Sequence, residues 1–547
     1  MAQPHGTGAP PRSVRDATLD GLREYGLTTI FSNPGSTEVG FLTDLPEDLR
    51  FVLALHEGSV VGMATGWAIA RDRPALVLLH TTAGLGNAVG ALATARVNRA
   101  PLVVLVGQQD RRHLALEPFL AGKLRDLAGD YPVRVEEPAT AQDVPGAIAR
   151  CRHAAADARG PALVIVPMDD WAAPAESDRV VAAARHVTRA DGVEDAGVAS
   201  LASLLNEADA PALVTGAGTD SEEGWAGLVA LAERIGAPVF QESFGARAGF
   251  PQDHPLFAGF LPADRPGLRA TLAGRDAVLA VGAPVFRQYP YTEGPLVEPG
   301  TRVGLLTDDP AEAYRSPVET AVLAPIPAAL RLLARHAAAR QWTAAPHKDT
   351  TTIEAPERPA PGQPMLPAHV LAALAERVPA DTVFVEETPS SRPEMHRRVP
   401  ARRPLGFLSA AMGGLGFALP AATGVRMARP DRPVIAVVGD GSSLYQVQAL
   451  WSAARYGAGV LFVVLSNGRY AVMDRLAERH GGKPAWPGFP ELAVSGLARE
   501  LSCPSQRVEA LDDLVAILDS VVPTLREREE PLVLDVAVAA EADFSGI

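Results

Sequence analysis

Short runs of consecutive apolar residues recur along the chain and alternate with segments of helical character. The first set includes "LVLLH", "PLVVLVG" and "PALVIVPMD". A second set, "PALVTGAG", "APVFQ", "AVLAVGAP" and "RVGLLTDDP", follows residue 190, and the last third contains "TVFVEE", "VIAVVGD", "VLFVVLSN" and "PLVLDVAV". Near-continuous apolar strands separated by helices are typical of parallel sheets buried on both faces. The pattern predicts an α/β protein built from doubly wound parallel sheets.

The order of these runs predicts three domains of similar size. The expected boundaries are 1–185 for the first domain, 190–341 for the central domain and 366–547 for the third. Residues 342–365 contain many prolines and show no periodic pattern, which indicates an extended linker. A chain of 547 residues is long enough to bury several separate cores.

Composition narrows the class of protein. The net charge of −14 disfavours nucleic-acid binding, which usually requires a basic surface. Two cysteines exclude a disulfide framework and a cysteine-ligated zinc site. No apolar run reaches the roughly 18 residues of a membrane span, and the polar first residues lack the apolar core of a signal peptide. We therefore expect a cytoplasmic enzyme with no nucleic-acid or membrane partner.

The third domain carries the strongest candidate chemistry. Asp440 lies between two glycines at the end of a predicted strand, and Asn467 ends the next apolar strand 27 residues later. Ligands of doubly wound sheets bind at the carboxyl ends of strands, so both side chains should lie at one edge. A carboxylate, an amide oxygen and the carbonyl of Arg469 are hard ligands that suit Mg²⁺ or Ca²⁺ bridged to a diphosphate. The alternative is a turn aspartate and a capping asparagine without a metal.

Three stretches of the first domain bear further candidates. Glu57 begins an apolar Gly/Ala helix, which is the setting for a buried carboxylate with a raised pKa; the alternative is a surface acid favoured by the helix dipole. His80 ends a strand, where a packing role is equally common. The turn at 33–35 is predicted to hold Ser36 and Thr37 outward, although most such serines only form turns.

Taken together, these stretches resemble the thiamine-diphosphate-dependent 2-keto acid decarboxylase family, and its benzoylformate decarboxylases in particular. The similar strings include "NPGS", "LHTTAGLGNA", "GAPVFR" and "GGLGFALPAA". The resemblance implies a pyrimidine-binding first domain, a central domain and a diphosphate-binding third domain. It also implies a lyase that releases CO2 and an aldehyde from an aromatic or bulky 2-keto acid, with carboligation as a side activity. A homo-oligomer, as a dimer of dimers, is expected.

The resemblance implies a role for each matching residue. Glu57 should hydrogen-bond the aminopyrimidine ring of thiamine diphosphate, while Asp440, Asn467 and the Arg469 carbonyl should hold Mg²⁺ (or Ca²⁺). The residues expected to act in catalysis are Glu57, His80, Ser36 and Tyr289. Further cofactor contacts are expected from Asn33, Pro34, Gly35, Gly413, Leu415, Gly439, Gly441, Ser442, Asn467, Tyr470, Ala471 and Val472. The substrate pocket is expected to be lined by Ser36, His80, Phe119, Leu120, Met473 and Leu476.

Departures from the family pattern leave the substrate open. Tyr289 stands where benzoylformate decarboxylases carry a second histidine, and Met473 and Leu476 replace a bulkier, aromatic wall. Two alternatives remain at this point. One is an acetolactate-synthase-like or oxidase-like enzyme with FAD in the central domain. Its sequence support is the glycine pair Gly216 and Gly218, which lacks a third glycine. The other is a relative that keeps the fold without turnover.

Overall fold

A computed structural model describes residues 12–176, 183–190, 192–341, 354–360 and 362–540. These residues contain three six-stranded sheets, and all strand pairings within the sheets are parallel. The predicted class of three doubly wound parallel-sheet domains is confirmed. The described residues form two compact units. One holds the first sheet together with residues 423–428, and the other holds the second and third sheets.

The first sheet has the strand order β2-β1-β3-β4-β6-β5. Its strands are β1 Thr29–Asn33, β2 Arg50–Leu53, β3 Ala75–Leu79, β4 Leu102–Gln108, β5 Arg134–Glu136 and β6 Pro161–Pro167. Its helices are α1 Val14–Glu24, α2 Val39–Leu42, α3 Glu57–Arg71, α4 Thr81–Val97 and α5 Val144–Ala158. Every residue of β3, β4 and β6 is buried, as expected for apolar strands covered on both faces.

The second sheet has the strand order β12-β11-β10-β7-β8-β9. Its strands are β7 Pro211–Thr215, β8 Val239–Gln241, β9 Phe257–Phe260, β10 Ala277–Val281, β11 Arg302–Thr307 and β12 Thr320–Leu323. Its helices are α6 Asp195–Glu207, α7 Glu222–Ile235, α8 Arg265–Thr271, α9 Pro310–Arg315 and α10 Ile326–His336. The Ser221 hydroxyl caps the first turn of α7, and Gly236 ends that helix in the left-handed conformation.

The third sheet repeats the topology of the first, with the order β14-β13-β15-β16-β18-β17. Its strands are β13 Val383–Glu387, β14 Phe407–Ser409, β15 Val434–Gly439, β16 Leu461–Ser466, β17 Ser505–Val508 and β18 Leu532–Ala537. Its helices are α11 Pro367–Ala375, α12 Arg392–Arg398, α13 Ala418–Ala428, α14 Asp440–Ser443, α15 Ala449–Arg455, α16 Ala471–Arg479, α17 Val494–Glu500 and α18 Leu511–Val521. In both sheets the strand order reverses between the first and third strands, where doubly wound folds bind ligands.

The predicted linker lies partly outside the described residues, which omit 342–353 and 361. Its described part, 354–360 and 362–365, contains no helix, and only Met365 forms a β-bridge, with Val538. The domain boundaries themselves stay predictions. Among the described residues, none of the helices combines the length and the hydrophobicity that a membrane span would need.

Candidate active site

Glu57 lies at the carboxyl edge of the first sheet, as the first residue of α3. Its side chain is buried, with 7% of its surface exposed, so the predicted buried carboxylate is confirmed. The Asn33 side chain donates to Oε1 at 3.1 Å, and the Asn87 side chain donates to Oε2 at 3.0 Å. Each carboxylate oxygen therefore has one amide donor, which fixes the orientation of the group.

His80 follows β3 at the same edge and contacts a buried glutamate. Its Nδ1 lies 3.1 Å from Glu38 Oε2 and 2.9 Å from the Thr37 hydroxyl, and Thr37 also donates to Glu38. Thr37 is 1% exposed, so the prediction that it points outward is wrong. The short 3-10 turn at 36–38 rotates Thr37 inward because its hydroxyl finds partners there. A carboxylate on Nδ1 holds the ring and leaves Nε2 for chemistry.

The turn before Ser36 approaches the imidazole closely. A Cβ on Gly35 would lie 2.4 Å from the His80 ring, so only glycine fits at this position. The Gly35 N–H donates to Glu38 Oε2 at 2.8 Å, which ties the turn to the same carboxylate. Ser36 and Pro34 are exposed, as the sequence predicted for the serine. The turn therefore exposes Ser36 between Gly35 and Thr37, the two residues that approach the His80 ring.

Asp440 lies at the carboxyl edge of the third sheet, immediately after β15, and is buried. One oxygen accepts from the backbone N–H groups of Asn467 at 2.9 Å and Gly468 at 2.7 Å, and the other from Gly441 at 2.7 Å. Burial raises the pKa of Asp440, and the three N–H donors oppose that effect. The Asn467 amide oxygen accepts from the Arg469 N–H at 3.1 Å. The predicted neighbourhood of Asp440 and Asn467 is confirmed.

Glu387 lies beside Asp440, at the end of the neighbouring strand β13. Its carboxylate accepts from three successive backbone N–H groups at the start of α13, those of Gly416, Phe417 and Ala418, at 2.6–2.7 Å. Burial raises the pKa of Glu387 to about 7, while these donors lower it. The glutamate thereby holds the glycine turn that carries Gly413 and Leu415.

Most of the predicted residues of the second unit line a single cavity of about 1950 Å³. Those that line it are Tyr289, Gly413, Leu415, Gly439, Asp440, Gly441, Ser442, Asn467, Arg469, Tyr470, Val472, Met473 and Leu476. Ala471 is buried and does not line it. Phe119, by contrast, belongs to the other unit and is 88% exposed, and Leu120 is partly exposed there. Their place in the substrate pocket stays a prediction.

The donor set of the third domain fits a magnesium diphosphate. Among the described residues there is no cluster of three or more His, Cys, Asp or Glu side chains that could hold a metal by itself. Mg²⁺ commonly takes one or two carboxylates and completes its shell with phosphate oxygens. Asp440 and the Asn467 amide meet that description. The N-terminus of α16 begins at Ala471 and adds a dipole that favours phosphate.

The corresponding edge of the second sheet is closed by its own packing. A Cβ on Gly216 would lie 2.5 Å from Glu242 Oε1, and a Cβ on Gly218 would lie 2.7 Å from the Cα of Gly282. Glu242 is buried, its Oε2 has no hydrogen-bond partner within the described residues, and burial raises its pKa to about 7. An acid in this position is a poor neighbour for the phosphates of FAD. The two glycines are explained by packing within the domain.

Several polar residues of the site have no assigned role in the sequence prediction. Asn87, Glu38 and Glu387 each touch a predicted residue or the turn that carries one. Asn87 and Glu387 gave some signal: the first is a polar residue in a small, apolar helix, and the second ends a buried strand as half of an acidic pair. Glu38 gave little signal, because its partner His80 is 42 residues away along the chain.

Family models match all three domains. The N-terminal TPP-binding domain of thiamine pyrophosphate enzymes matches residues 12–126, the central domain matches 198–333, and the C-terminal TPP-binding domain matches 390–536. The chain is 39% identical to a benzoylformate decarboxylase of Pseudomonas aeruginosa, over 89% of this chain and 91% of that protein. It is 28% identical to an acetolactate synthase large subunit of Parasynechococcus marenigrum, over 93% and 86%.

Two solved structures are similar over nearly the whole chain. A thiamine diphosphate-dependent 4-hydroxybenzoylformate decarboxylase of Rhodococcus jostii has a TM-score of 0.91 and 34% identity, covering 97% of this chain and all of its own. A benzoylformate decarboxylase of Polynucleobacter necessarius has a TM-score of 0.89 and 33% identity, covering 97% and 99%. The resemblance seen in the motifs therefore extends through the fold.

Proposed function

The chain belongs to the thiamine pyrophosphate enzyme family, and we propose that it is a carboxy-lyase that converts an aromatic 2-keto acid to an aldehyde and CO2. The observation that best supports this proposal is that Asp440 and Asn467 lie together at one edge of the third sheet. This pair suits a magnesium diphosphate. Benzoylformate is the first substrate to test, because similar chains carry that activity in their names. Carboligation of the aldehyde is the expected side reaction.

The residues proposed to bind the cofactor follow from the metal ligands and hydrogen-bonding groups that the site offers. Asp440, Asn467 and the Arg469 carbonyl would hold Mg²⁺, with Gly441 and Ser442 next to the diphosphate. Gly413 and Leu415 would contact the organic part of the cofactor, on the turn held by Glu387. When bound, thiamine diphosphate supplies a nucleophilic carbon and accepts the electrons left behind by CO2. The protein's part is to position the reacting groups and to move protons.

Proton transfer falls to the residues of the first domain. Glu57, held by two asparagines, would hydrogen-bond the pyrimidine ring and exchange a proton with it. His80 is oriented by Glu38 through Nδ1, so its Nε2 can deliver or remove a proton. Ser36, exposed on the turn that approaches the imidazole, would bind the substrate carboxylate.

We propose Tyr289 as the second proton donor, a role supported by its position in the lining of the cavity of the second unit. A phenol is intrinsically a weaker acid than an imidazolium. Replacement by histidine should therefore speed the turnover of aryl substrates. A slower Tyr289→His variant would argue that the tyrosine serves a different step.

The test is CO2 release from benzoylformate with added thiamine diphosphate and Mg²⁺. Turnover that is lost on chelation and restored by Mg²⁺ supports the proposal, and identification of benzaldehyde fixes the reaction. Turnover of branched aliphatic keto acids alone would change the substrate class. Absence of turnover on every 2-keto acid would refute the lyase.

Each of the two alternative functions can be tested by its own measurement. A flavin absorbance band in the purified protein would support the FAD-dependent reading, which the position of Glu242 disfavours. Failure to bind thiamine diphosphate by calorimetry would support a non-catalytic relative.

For the assembly, we propose a dimer of dimers, in which the two domains that bind one cofactor come from different subunits.

A further inference from the structure

Residues 481–490, here named the tryptophan loop, fold back onto the loop that follows β16. The Phe489 N–H donates to the Gly468 carbonyl at 2.7 Å. The rings of Tyr470 and Phe489 meet edge to face, with centroids 5.1 Å apart. These contacts fix the far end of the tryptophan loop against Gly468 and Tyr470, and Tyr470 lines the cavity.

Trp486 is held by a hydrogen bond near the middle of the tryptophan loop. Its Nε1–H donates to Asp474 Oδ1 at 2.9 Å, from the loop to the first turn of α16. The second oxygen of Asp474 lies 3.7 Å from an Arg469 nitrogen, so both oxygens are engaged. The Asp474 side chain is only 16% exposed. This hydrogen bond restricts the orientation of the indole, because its single N–H selects one direction.

The indole lines the same cavity as Met473 and Leu476. These two residues are three apart on α16 and therefore lie on one face of the helix. The helix presents a thioether and an isobutyl group to the cavity, but no aromatic ring. Trp486 adds a flat aromatic surface from the neighbouring loop to those of Tyr445 and Tyr470, which line the same cavity. Sulfur and indole surfaces both make favourable contacts with aromatic rings.

We propose that Trp486 is a specificity-determining residue that packs against the aromatic ring of an arylglyoxylate substrate, with Asp474 as its positioning residue. The inference rests on the proposed function and deepens it, because it says which residue compensates for the missing aromatic side chain on α16. Loss of the indole should lower the preference for aryl over linear alkyl 2-keto acids by about tenfold, the usual scale of one aromatic contact in a pocket.

The first experiment compares the ratio of kcat/KM for benzoylformate to kcat/KM for 2-ketohexanoate. Trp486→Leu should lower this ratio about tenfold, whereas Trp486→Phe should keep most of it because an aromatic face remains. Trp451→Phe is the matched control: Trp451 is also partly buried but does not line the cavity, and its ratio should equal that of the wild type. A ratio for Trp486→Leu within twofold of the wild type would overturn the proposal.

The role of Asp474 is tested by a conservative pair. Asp474→Asn keeps a carbonyl oxygen that can accept from the indole N–H, whereas Asp474→Ala removes the acceptor. The alanine variant should lower the ratio in part, as Trp486→Phe does, because both keep an aromatic ring and lose the hydrogen bond that orients it, and the asparagine variant should keep the wild-type ratio. Equal ratios in both variants and the wild type would refute the positioning role.

A binding measurement separates this inference from the proposed function. Benzoylphosphonate, an aryl keto-acid analogue that cannot lose CO2, should quench the fluorescence of the wild-type holoenzyme and of Trp451→Phe. The quench should be largely lost in Trp486→Phe, since the reporting indole is gone. An equal quench in all three proteins would overturn the contact, whether or not the enzyme turns over. A wild type that quenches but turns over no 2-keto acid would refute the lyase and retain the aryl site.

Discussion

At the scale of single residues, the Glu57 carboxylate is held by one asparagine amide on each oxygen. A glutamine at this position would remove the charge and set its own amide nitrogen against one of those donors. We expect Glu57→Gln to lower the rate of CO2 release by about 10²–10⁴, the usual contribution of a positioned acid–base group. Steady-state turnover at saturating thiamine diphosphate measures the effect. Glu47→Gln, at an exposed glutamate of the same domain, should turn over normally. A loss below threefold for Glu57→Gln would contradict the assignment.

The contact of His80 with Glu38 makes a second prediction about residues. His80→Ala should lose about 10²–10⁴ in kcat, because the proposed proton-transferring group is gone. Glu38→Gln keeps the ring but weakens the contact that orients it, so we expect a loss of about tenfold in kcat and little change in KM. Because a loss of folded enzyme would also lower the apparent kcat at unchanged KM, kcat is calculated per thiamine diphosphate site, counted by titration of each variant. Equal losses in the two variants would mean that Glu38 supports the fold rather than His80.

At the scale of elements, sequence patterns predicted the central strands and missed those of mixed polarity. β4, β6 and β16 are buried throughout and apolar except for Gln108 and Ser466 at the ends of β4 and β16, so composition alone identifies them. In the edge strand β12, partly buried and exposed positions alternate, and in the edge strand β17 three polar residues precede a single buried valine, Val508. Such strands form because a neighbouring strand offers hydrogen bonds. The residues of the segment itself do not reveal that neighbour.

The site shows the same contrast between features that a local sequence pattern reveals and features that depend on tertiary contacts. Asp440 and Asn467 end two strands that are adjacent in the sheet, so spacing and topology suffice to pair them. Trp486 lies in a loop without periodicity, and its place in the cavity depends on a hydrogen bond to Asp474. Thr37 was placed on the wrong side because the buried partners of its hydroxyl come from tertiary structure.

The start of α13 gives a prediction that belongs to an element. Glu387 accepts from three backbone N–H groups there, and a glutamine could not accept on its amide nitrogen. We expect Glu387→Gln to loosen the turn that carries Gly413 and Leu415 and to weaken thiamine diphosphate binding by about tenfold, the equivalent of one lost hydrogen bond. Titration calorimetry with Mg²⁺ present measures the Kd. Glu527→Gln, at an exposed glutamate, is the control. An unchanged Kd for Glu387→Gln would show that the turn is held without this carboxylate.

At the scale of the whole molecule, buried Glu242 predicts how stability depends on pH. Burial raises its pKa to about 7, above the ordinary value of 4.5. Between these values the folded chain binds more protons than the unfolded chain, so the unfolding free energy falls as pH rises through this window. The contribution is fully present below about pH 4.5 and is lost above pH 7, on the order of 3 kcal/mol.

Denaturant midpoints of the cofactor-free protein at pH 5.5 and pH 8 measure this dependence. Glu242→Gln should reduce the difference between the two midpoints, because the glutamine does not titrate. Other groups also titrate in this range, so the comparison with the wild type is the informative quantity. The same pH difference in both proteins would mean that Glu242 ionises normally despite its burial.

The assembly itself can be tested by combining two inactive proteins. Glu57→Ala should lack the acid–base group of the first domain, and Asp440→Ala should lack the carboxylate for Mg²⁺ in the third. If the two domains of one site come from different subunits, a mixed dimer holds one site with both lesions and one with neither. Random pairing of co-expressed variants should then regain about one quarter of the wild-type activity, because half the dimers are mixed and each carries one intact site. Each variant expressed alone should stay inactive. If every site is instead built within a single chain, all sites carry one lesion and no activity returns.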